Sequence, residues 1–152
     1  MFKDEANNCL ERAEKSYEEA IRLMNECKYP EAVDKFHDSI ENLLKTILNL
    51  YEIPYKPTHD VVFLLPKIKE KIDENNPNYY LYSEIVLPPF IAIHKILKEI
   101  RNMARYGYKG ISSNKIFNEV LAKSIHMMID GNIGMLKGWI FDILTKKEDL
   151  KY

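Results

Sequence analysis

The chain has 152 residues, 46% hydrophobic and 30% charged, with a formal net charge of −1. That is an ordinary water-soluble balance with room for a sizeable core, and it sets the expectation of one helical domain over 1–152. So small a net charge excludes a global field that draws the chain onto nucleic acid, so any such binding has to come from a local patch.

No apolar run is long enough to span a bilayer, and charge begins at Lys3, Asp4 and Glu5, so neither a membrane span nor a signal peptide is expected. Cys9 and Cys27 would stand about 27 Å apart on one continuous helix, too far for a disulfide. Reduced thiols and a cytoplasmic setting are the simpler reading.

In chain order, the first helix is expected over 4–28, with an acidic start and apolar positions Leu10, Ala13, Tyr17, Ala20, Ile21 and Met24. Tyr29-Pro30 breaks it, and Pro30 suits the first turn of a second helix over 30–51. There Val33, Phe36, Ile40, Leu44, Ile47 and Tyr51 share one face, widened by Leu43 and Leu50. His37, Asp38 and Glu41 lack a His-x-x-x-His or Glu-x-x-His spacing. They read as a solvated helix face, so neither a metal nor a cofactor is expected.

A loop with two prolines follows, in which Thr58 or Asp60 caps a third helix over 59–75 and His59 has a structural place beside the cap. Pro66 should kink or restart that helix. Tyr79, Tyr80 and Tyr82 lack interleaved basic residues, so they read as core edge or interface rather than as a stacking platform for bases.

The stretch from Phe90 to Gly110 carries the most chemistry. Phe90, Ile93, Leu97, Ile100 and Ala104 form an apolar stripe, and His94, Lys98, Arg101 and Arg105 a basic one beside it. The chain has only four arginines, and two of them stand between Arg101 and Tyr106. Where lysine is the default base, the planar fork of arginine points to phosphate or carboxylate recognition. The alternative is plain: Gly107 suits the end of a helix at Tyr106, and cations in its last turn complement the macrodipole.

Beyond Gly110, Ser112 or Ser113 caps a fifth helix holding Ile116, Phe117, Val120, Leu121, Met127 and Met128. Asp130-Gly131-Asn132 should bend or end it, and Gly134 with Gly138 reads as a site of close helix packing. Nothing reads as a strand. The expectation is an all-α, up-and-down antiparallel bundle of four to five long helices, with Phe36, Ile40, Leu44, Ile47, Ile93, Leu97 and Ile100 in its core.

Three segments carry a family likeness: YPEAVDKFHDSIENLLKTIL, then Pro57-Thr58-His59-Asp60 with Phe63-Leu64-Leu65, then IRNMARYGY. Together they resemble the HEPN family (higher eukaryotes and prokaryotes nucleotide-binding), over roughly residues 10–130. The resemblance implies a bundle of four or five helices, paired as a homodimer. Many members are metal-independent ribonucleases, often toxins encoded beside a nucleotidyltransferase partner. Their motif is arginine, then asparagine or aspartate, then histidine four to six residues later. Arg101 and Asn102 match its start, and Tyr106 stands where the histidine belongs. Tyr108 matches the tyrosine that in some members accepts adenylylation.

That departure matters chemically. A phenol with a pKa near 10 is a poor base at neutral pH, where imidazole is suited to moving the proton of a 2′-hydroxyl. The resemblance therefore favours an RNA- or nucleotide-phosphate cleft formed by Arg101, Asn102, Arg105, Lys98 and His94, in a toxin–antitoxin or nucleotidyltransferase-linked defence system. An active endoribonuclease using Arg101, Asn102 and Tyr106, or a helical dimer without a ligand, are the alternatives.

Overall fold

The computed structural model describes residues 1–56 and 61–149. The expected cap at Thr58 or Asp60, and His59, lie outside the described residues. Six α-helices are present among the described residues: α1 (Phe2–Asn25), α2 (Tyr29–Leu50), α3 (Leu65–Lys71), α4 (Leu87–Tyr106), α5 (Ser113–Ile116) and α6 (Glu119–Asp149). Four of them exceed ten residues. Among the described residues no helix is long and apolar enough to cross a membrane.

The α1–α2 hairpin is closed by backbone geometry. Cys27 takes φ 60°, and the Lys28 N–H returns to the Leu23 carbonyl at 2.9 Å. That is a Schellman turn, in which the left-handed residue lets the chain recover two carbonyls at the helix end. The same motif ends α2, where Glu52 takes φ 57° and the N–H of buried Ile53 bonds the Leu48 carbonyl.

Ser39 on α2 donates to the Ala13 carbonyl on α1 at 2.8 Å, while Asn49 lies beside Cys9, so the two helices run antiparallel. Asp34 opposite Arg105 makes α4 antiparallel to α2 as well. Phe36 meets His126 and Tyr51 meets Trp139, so α6 descends alongside α2. The result is the up-down-up-down order expected of the all-α bundle.

α2 is the central element and is buried over much of its circumference. Phe36, Ile40, Leu44 and Ile47 are all fully buried, as are Leu97 and nearly all of Ile93. Ile100 is only half-buried, packed on the rim of this core.

Four boundaries differ from the sequence reading. The expected fifth helix is interrupted at Phe117 and Asn118, which divide it into α5 and α6. α3 is only seven residues long and starts with Pro66 at its head, so the proline restarts the helix rather than kinking it. Helical structure also begins before Phe90, where the sequence reading starts its apolar stripe. Residues Leu81–Val86 form a wide π-type turn in which the Leu87 N–H reaches back to the Tyr82 carbonyl. Pro88 and Pro89 lack N–H groups and crowd the carbonyls four residues earlier, and widening the turn relieves that crowding. Finally, Gly131 does not end α6, which runs unbroken to Asp149. A single glycine costs a helix only about 1 kcal/mol, less than the packing around Ile129, Ile133 and Leu136 recovers.

Buried Trp139 ties the bundle's end together. It stacks on Tyr82 with ring centroids 4.9 Å apart, and its indole N–H donates to the Tyr51 hydroxyl at 3.1 Å. The expected close packing at Gly134 and Gly138 is not found, since a Cβ at either would meet open space.

Leu97 is fully buried between α4 and the core. Leu97→Ala should therefore cost about 2–5 kcal/mol, measured by urea denaturation followed by circular dichroism. A cost below about 1 kcal/mol would contradict this packing.

Candidate basic site on α4

α4 ends at Tyr106 because Gly107 turns the backbone away with φ 72° and its N–H closes on the Met103 carbonyl at 2.8 Å. A Cβ at Gly107 would sit 2.3 Å from the Ile111 carbonyl oxygen, so only glycine fits there. Tyr108 and Ile111 then pair through both backbone groups, at 3.0 and 2.9 Å, which holds Tyr108 on a tight turn. Tyr108 is half-exposed, with the Lys109 ammonium 5.2 Å from its ring centroid.

The candidate residues part company around the helix. Arg105 is spoken for. Its Nε and Nη2 donate to the two carboxylate oxygens of Asp34 on α2 at 2.9 and 3.2 Å, a bidentate fork across the two helices. That hydrogen bond is the main reason its pKa is raised above the usual arginine value.

Arg101 is placed differently. It is half-buried, its Nε is buried without a hydrogen bond, and it makes no ion pair among the described residues. Asn102 and Lys98 are exposed beside it on the helix, and Tyr106 is 81% exposed.

His94 is a correction. The sequence places it on the basic stripe, yet it is 1% exposed and turned against α2. There its ring centroid is 5.3 Å from that of His37, and its Nε2 is 4.0 Å from Glu41 Oε1. His37 is a second correction. It is as buried as His94 rather than part of a solvated face, and neither of its ring nitrogens makes a hydrogen bond. Only Asp38 and Glu41 of that trio are partly exposed. Burial pushes the Asp38 carboxyl up, but His37, Lys35 and Arg105 outweigh it and hold it below its ordinary range.

Two features away from α4 have no counterpart in the sequence reading. The Tyr17 hydroxyl donates to Asp130 Oδ1 at 2.5 Å and lies 3.1 Å from His126 Nε2, whose ring stacks on Phe36. Burial, then the bond to Asp130, pushes the Tyr17 phenol up to about 12. A cavity of about 550 Å³ opens between the start of α1 and the end of α2, lined by Asn8, Arg12, Lys45, Asn49 and Tyr55 among others. The two Tyr17 contacts join residues 109 and 113 positions apart, and no local spacing announces them.

A helical bundle with a basic helix end facing its second helix is the class that fold and site define. A family model for the HEPN domain matches residues 6–126, most of the chain. The chain belongs to the HEPN domain family. No curated protein and no solved structure matches it.

The Asp34–Arg105 fork is part-exposed, so its coupling should fall in the range of surface pairs, about 0.2–1 kcal/mol. A double-mutant cycle of Asp34→Ala and Arg105→Ala, read by chemical denaturation, should return that value. Strictly additive single costs would mean that Arg105 is not held by Asp34.

Proposed function

We propose that this HEPN protein binds RNA or a nucleotide through its phosphate groups, with Arg101 as the central ligand and Lys98 and Asn102 beside it. One observation carries the reading: Arg101 has a buried Nε without a hydrogen bond and no ion pair among the described residues, one turn from an arginine that has both fork and partner. A planar phosphate-binding fork is what such a guanidinium offers. Arg105 acts at one remove, fixing α4 against α2, and His94 takes no part in contacting the ligand.

Binding rather than cleavage fits the chemistry. Metal-independent cleavage needs a group that titrates near neutral pH at the arginine, and the residue in the family's histidine position is Tyr106. Both Arg101 and Asn102 stabilise a phosphate without moving its protons. We place the activity in a toxin–antitoxin or nucleotidyltransferase-linked setting on the strength of the family resemblance, with Tyr108 as the exposed phenol available for adenylylation.

We further propose that two chains pair through α6. Val120, Met127, Gly134 and Phe141 recur at seven-residue intervals, and the three non-glycine members are 74%, 78% and 71% exposed. Gly131 and Gly138 add open backbone beside them. An apolar stripe of that size on a helix is more simply covered than left in water.

The test uses fluorescence anisotropy with a labelled single-stranded RNA. Wild type should bind in a salt-dependent way, and Arg101→Ala should weaken binding while lowering the salt slope by about one. Arg101→Lys should also bind poorly, because one ammonium does not reproduce a fork. Light scattering of the same sample should give about twice the 17.9 kDa chain mass. Unchanged affinity in a folded Arg101→Ala variant would return this arginine to a helix-end role.

A further inference from the structure

We propose that His37, Glu41 and His94 form a binding site for one divalent transition-metal ion between α2 and α4. His37 and Glu41 stand four residues apart, which puts them on the same face of α2. His94 reaches them from α4. One ligand atom from each of the three lies within 4.8 Å of the other two. Two imidazoles and one carboxylate are the donor set of open zinc sites, which keep a fourth position for water or substrate.

The fit is close without being closed. Ligand atoms about 2.1 Å from a tetrahedral zinc ion are about 3.4 Å from each other, so these must draw in by about 1 Å. His94 Nε2 and Glu41 Oε1 are already 4.0 Å apart. The two rings are tilted by 47° rather than stacked, as expected of imidazoles that aim at one point. Small rotations about the side-chain bonds supply the remainder.

The surroundings favour an ion here. Both ring nitrogens of His37 are buried and make no hydrogen bond, with Nδ1 3.8 Å from Asp38 Oδ1, a costly arrangement for a buried imidazole that a metal bond would repair. Lys45 approaches Glu41 through the other carboxylate oxygen, Oε2, at 3.8 Å, which leaves Oε1 to the ion. Glu41 is 22% exposed whereas both histidines are buried. The ion would enter past Glu41, and its fourth position would open on that side. Zinc suits such a site best, because it tolerates a low coordination number and favours imidazole with carboxylate.

The site would pin α2 to α4 at a level beyond the Asp34–Arg105 fork. It owes nothing to the phosphate reading, and its test involves no nucleic acid. Zn²⁺ titrated calorimetrically into chelator-treated full-length protein should bind at one ion per chain and raise the melting temperature. The Co²⁺-loaded protein should show d–d absorption without the thiolate charge-transfer band that Cys9 or Cys27 would produce. Glu41→Gln keeps the side chain's shape and the fold, and should weaken Zn²⁺ binding at least tenfold, as should His37→Gln where circular dichroism shows it folded. Absence of Zn²⁺ binding by wild type, a thiolate band, or unchanged affinity in Glu41→Gln would each overturn the proposal.

Discussion

The structure turns on the burial of α2. A helix packed by α1, α4 and α6 has little face left for water, so most of the buried polar residues on it take a hydrogen-bond partner within the bundle. Ser39 takes the Ala13 carbonyl, Thr46 the Asn42 carbonyl, and Asn49 the Tyr55 hydroxyl. Towards α4 the same demand is met by charge: Asp34 holds Arg105, and Glu41 faces Lys45 and His94. Both buried histidines of the described residues, His37 and His94, lie in that seam.

The seam also sorts α4's basic residues by consequence. An arginine bound to a buried helix through two hydrogen bonds positions the helix; it does not greet a ligand. Arg105 is of that kind. Arg101, one turn earlier, is half-buried and makes no ion pair among the described residues. On the proposed reading, helix-end compensation and phosphate recognition, which compete as readings of a basic cluster, are divided between two neighbouring residues.

Much of the fold was legible in the sequence, since periodicity reports which face of a helix is buried. The apolar stripe of α2 and the Phe90–Leu97 stripe of α4 are both in the core. Legibility ended where partners come from elsewhere in the chain. A wheel drawn on α2 alone cannot show that His37 faces His94, because fifty-seven residues separate them. Nor can it show that Arg105 meets Asp34. Glycine at position 131 looked like a helix end because local propensity was weighed without the flanking burial of Ile129 and Ile133. The family likeness, by contrast, rested on a few side chains at fixed spacing, and the HEPN match over residues 6–126 agrees with it.

The division of labour between the two arginines is open to direct observation. With only four arginines in the chain, an Nε–Hε correlation spectrum contains few signals, assignable by single substitutions. On titration with a short RNA or a nucleoside triphosphate, the Arg101 signal should shift while that of Arg105 stays in place. A shift at Arg105 with Arg101 unmoved would contradict the account.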